Sequence, residues 1–172
     1  RLLGFCNDIT ARKQVEESLR RSENTFRAAF HTSPDSININ RLSDGLYLDI
    51  NEGFLRILGY ERAEVLDKTS IELNIWNNSK DRDRLVEGLK RDGFVENLEA
   101  EFQRKDGTLR YGLMSARVID LEGEPCILSI TRDITDRKNA EQALIDSQQR
   151  LKLAIQATNA GVWDWDVRSN QD

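Results

Sequence analysis

Side chains that commonly carry chemistry are few in this chain. It has one histidine, His31, and two cysteines, Cys6 and Cys126, which lie far apart in the sequence. A zinc site needs about four closely spaced soft ligands, and a nucleophilic triad needs a histidine beside the nucleophile. His31 is followed by Pro34, which should end its helix, and no ATP-binding motif accompanies it. The sequence therefore predicts neither a catalytic residue nor a metal site.

The amino-acid composition of the chain limits which classes of partner it can bind. The chain has 172 residues, and its 25 basic and 30 acidic side chains are interspersed, with a net charge of −5. That balance argues against a nucleic-acid partner, and no apolar run approaches the roughly 18 residues that a bilayer span requires. Two scattered thiols do not form a disulfide framework. We therefore expect a cytoplasmic chain with no membrane contact of its own, although its parent protein could be anchored in a membrane.

A polar hexapeptide occurs twice, as "DITARK" at 8–13 and "DITDRK" at 133–138. The likeness continues along both copies, so that nine of 23 aligned positions are identical. The interval is too long for a solenoid repeat and matches the size of a whole domain. The sequence thus predicts part of an array. Its expected parts are the last strand of a preceding domain (1–10), a helical linker (11–32), a complete domain (33–135), a second helical linker (136–158) and the first strand of a following domain (159–172).

Both linkers carry apolar or small residues at spacings of four and three, which is typical of a coiled-coil seam. The first seam comprises Val15, Leu19, Ser22, Phe26 and Ala29, and the second comprises Ala140, Leu144, Ser147, Leu151 and Ala154. We expect a homodimer through these helices; the alternative is a single amphipathic helix lying on its own domain. At least one apolar end, such as the one carrying Trp163 and Trp165, is expected to pack against the domain or a second chain.

The second hexapeptide copy follows the apolar run "CILSI", which predicts a joint between a strand and a helix. Asp133 and Thr135 are good N-cap residues for that helix. We expect Asp133, Ile134 and Thr135 to form the joint. A further prediction pairs Asp133 with Lys105 or Arg104, in the turn that joins the two preceding strands.

Between the linkers the apolar period changes to two. "SININ" (36–40) and "LYLDI" (46–50) are joined by the turn "LSDG", which predicts a hairpin with Ile37 and Ile39 on one face. Helical stretches follow at "NEGFLRILGY" and "SKDRDRLVEGLKRDG", and then three strands are separated by "KDGT" and "LEGEP". The predicted fold class is α+β, with one five-stranded antiparallel sheet and short helices on one face.

These stretches together resemble the PAS family of sensor domains. The residues that carry the likeness are "SPD" (33–35), "NEGFLRILGYERAEVLDK" (51–68), "RKDGTLRY" (104–111) and "ITRDITDRK" (130–138). The resemblance implies the strand order 2-1-5-4-3, a pocket between sheet and helices, and linker helices that carry signals between domains. Tandem domains of this kind are typical of bacterial sensor histidine kinases, and also of cyclic-dinucleotide enzymes.

The resemblance also bears on cofactors. Haem-binding members use a histidine on the helix before the third strand, and that helix holds none here. Flavin-binding light sensors use a cysteine just after the "GY…VL" helices, a place that falls on Ser70. We therefore predict no haem and no flavin adduct, and leave an unidentified small ligand open.

A pocket of this family would be lined by residues that the strand and helix periods direct inward. The expected set is Ile39, Phe54, Leu58, Trp76, Leu89, Phe102, Met114 and Ala116. The indole N–H of Trp76 needs a partner if it is buried. The alternative is that these side chains simply fill the core.

The sequence thus favours a sensory and dimerising module, and no enzyme within this chain. A change induced by a ligand or partner would pass through Asp133, Ile134 and Thr135, with Lys105 nearby, to an output domain, most simply a histidine kinase. One alternative is a structural spacer with a filled core that sets dimer register. Another is the sensor of a cyclic-dinucleotide enzyme.

Overall fold

The computed structural model describes residues 6–157, and it describes the side chains of 11–156. The elements in chain order are α1 (Cys6–Thr32), β1 (Ser36–Arg41), β2 (Tyr47–Ile50), α2 (Glu52–Leu58), α3 (Arg62–Val65), α4 (Ser79–Asp92), β3 (Phe94–Gln103), β4 (Leu109–Leu121), β5 (Glu124–Asp133) and α5 (Thr135–Ala157). The strands form one sheet in the order β2-β1-β5-β4-β3, and every neighbouring pair is antiparallel. The predicted fold class and strand order are therefore confirmed. The sheet belongs to a unit that ends at Ile134, and α5 begins a second unit.

Two short helices begin and end where their polar and glycine residues predict. At the start of α2, the Asn51 side chain accepts a hydrogen bond from the Phe54 N–H. At its end, Gly59 adopts a left-handed conformation (φ 77°) and donates to the Leu55 carbonyl. Helix α4 begins in the same way at Asn78. These caps satisfy backbone groups that a helix leaves unpaired at its ends, so short segments remain helical beside the sheet.

Both faces of the sheet carry buried side chains. On one face, α2, α3 and α4 cover the main core, which includes Phe54, Val65, Leu89 and Phe102. The opposite face carries a smaller cluster built from Phe30, Ile39 and Cys126. Phe30 comes from the last turn of α1 and is 4% exposed. The end of α1 is thus anchored beneath the strands that form the middle of the sheet.

The beginning of α1 corrects one prediction. Residues 6–10 were expected in the last strand of a preceding domain, and they form the first turns of α1 instead. The first hexapeptide copy consequently lies within a helix. A strand needs a neighbouring strand to pair its backbone groups, whereas a helix pairs them internally. Residues 1–5 and 158–172 lie outside the described part of the chain, so the flanking strands and the packing of Trp163 and Trp165 stay predictions.

Candidate functional site: an internal pocket and the joint that leaves it

A cavity of about 100 Å³ lies between the sheet and the short helices. The residues that line it come from α2, α4, the strands and the segment between α3 and α4. They include six of the eight predicted residues: Phe54, Leu58, Trp76, Leu89, Phe102 and Met114. The core therefore leaves a partly open space at the place where the family resemblance implies a pocket.

The other two predicted residues do not line the cavity. Ala116 is buried in the same core but is not among the lining residues. Ile39 points to the opposite face of the sheet, where it packs with Phe30 and Cys126. The prediction assumed that the apolar side chains of β1 face the short helices. It was wrong because the end of α1 provides an apolar environment on the other face.

The inner face of the two central strands is polar instead. Side chains of β1 alternate between the two faces of the sheet, so Ile39 faces α1 and its polar neighbours face the cavity. The neighbouring strand β5 also directs polar side chains into the cavity. Antiparallel register places Ser36 opposite Thr131 and Asn38 opposite Ser129. We call the resulting set the polar stripe; its members are Ser36, Asn38, Asn40, Ser129 and Thr131. All five line the cavity and are between 3% and 9% exposed.

Hydrogen bonds within the protein satisfy only part of the polar stripe. The Asn38 side-chain amide donates to Asn40 Oδ1 at 2.5 Å, and Asn40 Nδ2 donates to the Gly45 carbonyl at 3.0 Å. In the described part of the chain, the three hydroxyls of the stripe have no protein partner within hydrogen-bond distance. Sequence reasoning missed the stripe, although the alternation of "SININ" and "LSIT" contains it.

Aromatic side chains also line the cavity. The Trp76 and Phe102 ring centroids lie 5.0 Å apart with an interplanar angle of 53°. Trp76 Nε1 donates to Ser70 Oγ at 3.1 Å, which provides the hydrogen-bond partner that its burial requires. Tyr47 stacks edge-on against Phe54 with a centroid distance of 5.3 Å, and burial raises the pKa of its phenol. The lining of the cavity therefore combines aromatic and apolar side chains with the polar stripe.

The predicted joint lies at the end of β5. This strand ends at Asp133 and α5 begins at Thr135, so the change from strand to helix is confirmed. Between them, Ile134 is 7% exposed, and its N–H donates to the Tyr111 carbonyl at 2.8 Å. Capping of α5 by the side chain of Asp133 or Thr135 stays a prediction.

The ion pairs around the joint differ from the predicted ones. Lys105 Nζ lies 2.6 Å from Glu64 Oε1, and Arg104 Nη1 lies 3.2 Å from an oxygen of the neighbouring Asp106. Asp133 Oδ2 instead lies 3.7 Å from Arg110 Nη1. The register between β4 and β5 explains the difference. Asp133 is paired near the beginning of β4, whereas the turn with Lys105 extends past the end of β5 toward the short helices.

A buried asparagine connects the end of α1 to the pocket strands. Asn51 Oδ1 accepts from the backbone N–H groups of Ile37 at 2.8 Å and Phe54 at 2.9 Å. Its Nδ2 donates to the carbonyls of Phe30 at 3.0 Å and Asp35 at 2.9 Å. One fully buried side chain therefore joins α1, the segment before β1, β1 itself and α2.

The profile of the PAS domain family matches residues 34–136, more than half of the chain. This chain belongs to the PAS domain family. A solved PAS domain, from an HTR-like protein of Haloarcula marismortui, is 29% identical and superposes with a TM-score of 0.59. That match covers 71% of this chain and 99% of the solved one. The strand order of the sheet is thus that of a PAS domain.

Relatives of this PAS domain are signal-transduction proteins. The methyl sulfide methyltransferase-associated sensor of Methanosarcina acetivorans is 34% identical over 83% of this chain. "Probable diguanylate cyclase DgcE" of Escherichia coli (strain K12) is 24% identical over 92%, and sensor histidine kinase TmoS of Ectopseudomonas mendocina is 26% identical over 89%. The chain spans only 14% of the first two proteins and 16% of the third. It is therefore a PAS sensory module of the kind that signal-transduction proteins contain.

Residues singled out for cofactor chemistry have other surroundings in this PAS domain. His31 Nδ1 lies 2.9 Å from Glu52 Oε2, outside the pocket lining, and this hydrogen bond lowers the pKa of Glu52. Ser70, at the place of the reactive cysteine in flavin-binding members, lines the pocket. Cys126 is a buried thiol on the opposite face, and burial raises its pKa. Within residues 6–157, no cluster of three or more metal-ligating side chains occurs, and no helix has the length and apolarity to cross a bilayer.

Proposed function

We propose that this PAS domain senses a small molecule in its internal pocket and passes the change along β5 into α5. The observation that carries the proposal is the course of β5. Ser129 and Thr131 line the pocket, the strand ends at Asp133 two residues later, and α5 begins at Thr135. A shift of the strand caused by a ligand at Thr131 therefore has only a short stretch of backbone to cross before it reaches the helix.

The anchoring of the joint supports the same proposal. The backbone N–H of Ile134 is held by Tyr111 of β4, and the Asp133 carboxylate lies near Arg110 of the same strand. Arg132 Nη2 also lies 3.2 Å from Asp35 Oδ2, in the segment that leads into β1. The end of β5 is thus held from both neighbouring strands, so that a change in the sheet alters the starting point of α5.

The linker helices support a dimeric module. Of the α1 seam, Val15, Leu19 and Phe26 are 69%, 59% and 61% exposed. In α5, Leu144 and Leu151 are 60% and 63% exposed. Exposed apolar side chains in a heptad-like row favour helix pairing. We propose that the chain forms a homodimer through these seams, next to further PAS domains of its parent.

The output that we propose is a histidine kinase. This proposal rests on the likeness to sensor histidine kinase TmoS, which extends over 162 residues. A cyclic-dinucleotide enzyme is the second candidate, because the likeness to "Probable diguanylate cyclase DgcE" extends over 163 residues. Purified full-length parent protein distinguishes them: a kinase transfers phosphate from ATP to its own histidine, whereas a cyclase forms a cyclic dinucleotide from GTP.

The sensing step can be tested on this chain. Native mass spectrometry of protein purified without denaturation should detect a retained small molecule. Hydrogen exchange should then differ between loaded and stripped protein at the Ile134 amide, which reports the joint. The Val118 amide is a matched control, because it is bound to the Gly93 carbonyl at 2.8 Å, away from the joint. Unchanged exchange at Ile134 would refute the relay, and a chain that neither retains nor binds a small molecule would be a structural spacer.

A further inference from the structure

The polar stripe indicates the chemistry of the pocket's ligand. Burying a hydroxyl or amide group without a hydrogen bond costs free energy, so native proteins seldom leave such groups unpaired. Here Ser36, Ser129 and Thr131 are 4%, 3% and 6% exposed and line the cavity. Within the described residues, none of their hydroxyls has a protein partner. These hydroxyls are not among the fully buried side-chain atoms without a partner, so they are accessible from the cavity, and a molecule bound there would complete their hydrogen bonds.

The hydrogen bonds of the stripe also determine which polar atom of the Asn38 side chain remains available to a ligand. The Gly45 carbonyl can only accept, so Asn40 must present its NH₂ group to it. Asn40 Oδ1 therefore faces Asn38, which must donate its own NH₂ group. Asn38 Oδ1 is left as an acceptor, and the described residues supply no donor for it. A head group that donates at least one hydrogen bond would therefore be complementary to Asn38.

No positive charge lies on the stripe. Arg82 is the only charged residue among those that line the cavity, and it is half-buried. It belongs to α4, which packs against β3 and β4, whereas the stripe belongs to β1 and β5. A carboxylate at the stripe would be a buried charge, and only Arg82 among the residues that line the cavity could compensate it. It would also accept hydrogen bonds only, and so would leave Asn38 Oδ1 unpaired.

The volume limits the size of the ligand. The cavity of about 100 Å³ is smaller than the apolar cavity of about 150 Å³ that accommodates benzene in an engineered protein. A molecule of roughly four to six non-hydrogen atoms fits this volume. Its apolar part would contact Trp76 and Phe102 while its head reaches the stripe.

We propose that the pocket binds a short-chain, uncharged amphiphile whose head group both donates and accepts hydrogen bonds, as a primary amide or alcohol does. The head lies on the polar stripe, and a tail of about three carbon atoms lies against Trp76 and Phe102. This assignment rests on the proposed sensing function and specifies the ligand class of that same site.

Three probes of equal length test the head group: butyramide, butyrate and pentane. Binding is followed by Trp76 fluorescence in a Trp163→Phe/Trp165→Phe background, with ligand-observed NMR as a second measurement. At pH 7, butyramide should bind at least about tenfold more tightly than either other probe, because one to two hydrogen bonds separate them. This comparison needs no change in the pocket and so does not depend on the folding of a pocket variant.

Pocket variants test the stripe itself. Ser129→Ala and Thr131→Val remove a hydroxyl with little change of volume, and each should weaken butyramide about five- to tenfold. Ser43→Ala is the matched control, since Ser43 is exposed in the β1–β2 turn. Circular dichroism of each variant establishes that it is folded. If neither pocket variant changes the affinity for butyramide, the assignment is overturned.

The other outcomes separate this inference from the proposed sensing function. Tighter binding of butyrate, lost in Arg82→Met, would overturn the uncharged head group and leave sensing intact. Pentane binding as tightly as butyramide would mean that the stripe does not recognise the ligand, and would overturn the inference. A larger or charged molecule retained on purification would do the same. If no probe binds and no molecule is retained, the inference and the sensing function both fail.

Discussion

Replacement of Asn51 by alanine should destabilise this PAS domain more than any loss of a single helix cap would. Asn51 is fully buried, and its side chain makes four hydrogen bonds of 3.0 Å or less to backbone groups of four different segments. The net contribution of one such bond is about 1 kcal/mol. We therefore expect the free energy of unfolding to fall by about 3–5 kcal/mol, a large part of the roughly 5–15 kcal/mol that stabilises a typical domain.

A matched asparagine provides the control. Asn78 also caps a helix, but it is exposed and its side chain accepts one hydrogen bond, from Lys80 N at 3.1 Å. Asn78→Ala should cost about 1 kcal/mol. Urea denaturation followed by Trp76 fluorescence, in a Trp163→Phe/Trp165→Phe background, measures both values. If the two alanine variants differ by less than about 1 kcal/mol, Asn51 acts only as a cap and our reasoning is wrong.

Asn51→Asp separates the two roles of the side chain. Aspartate is as good an N-cap as asparagine, and it keeps the acceptor for the Ile37 and Phe54 N–H groups. It loses both donors, however, and places a buried negative charge against the carbonyls of Phe30 and Asp35. We expect Asn51→Asp to be at least as destabilised as the alanine variant, measured in the same way. A near-neutral effect would mean that the hydrogen bonds donated by Asn51 contribute little to stability and that the side chain acts only as a helix cap.

Three further substitutions test the pocket, the surface ion pairs and the linker. Gly112→Ala places a Cβ atom 2.5 Å from a ring carbon of Phe102, so it should cost about 1–3 kcal/mol and weaken any ligand that contacts this ring. Lys105→Met should reduce stability fully above the ordinary pKa of glutamate, 4.5, and progressively less as the pH falls through the lower pKa that the hydrogen bond from Lys105 gives Glu64. Denaturation curves of wild type and variant should therefore converge as the pH falls below that value. Leu19→Lys should weaken self-association, measured by analytical ultracentrifugation.

Each of these changes has its own check. For Gly112→Ala, unchanged stability together with unchanged probe binding would mean that Phe102 moves aside freely. Lys80→Met removes another exposed lysine, for which the described residues provide no carboxylate partner, and it should not alter the pH dependence. Leu42→Lys replaces an exposed leucine outside the linker helices. If it weakens association as much as Leu19→Lys does, the seam is not the interface.

The sequence was sufficient for the fold because its local signals agree with one another. Turn residues separate the strands, and asparagine and glycine bound the helices, so the α+β class follows from pattern alone. Strand order came from the PAS resemblance, since alternation and turns do not determine which strands become neighbours. Five of the six pocket residues were predictable because the inward faces of α2, α4, β3 and β4 are apolar, as in an ordinary core, and Trp76 lies between α3 and α4.

Other features depend on contacts that no local pattern contains. The partner of Asp133 depends on the register between β4 and β5, which places Arg110 nearby and the turn with Lys105 beyond reach. Residues 6–10 are helical, although their local pattern was also compatible with a strand. The local sequence at the end of β5 and at residues 6–10 is compatible with more than one arrangement, so it does not determine the tertiary contacts of either segment.

The prediction for β1 recognised the alternation of its side chains but assigned Ile39 to the wrong face of the sheet. Period two separates Asn38 from Ile39, but it does not determine which set faces the short helices. Phe30 decides this by covering the opposite face with an apolar ring. The same strand therefore presents hydrogen-bonding groups to the pocket and a packed aliphatic side chain to the end of α1. Asn38 and Ile39 are neighbours on one strand, so the polar stripe and the contact with Phe30 lie on opposite faces of the same residue pair.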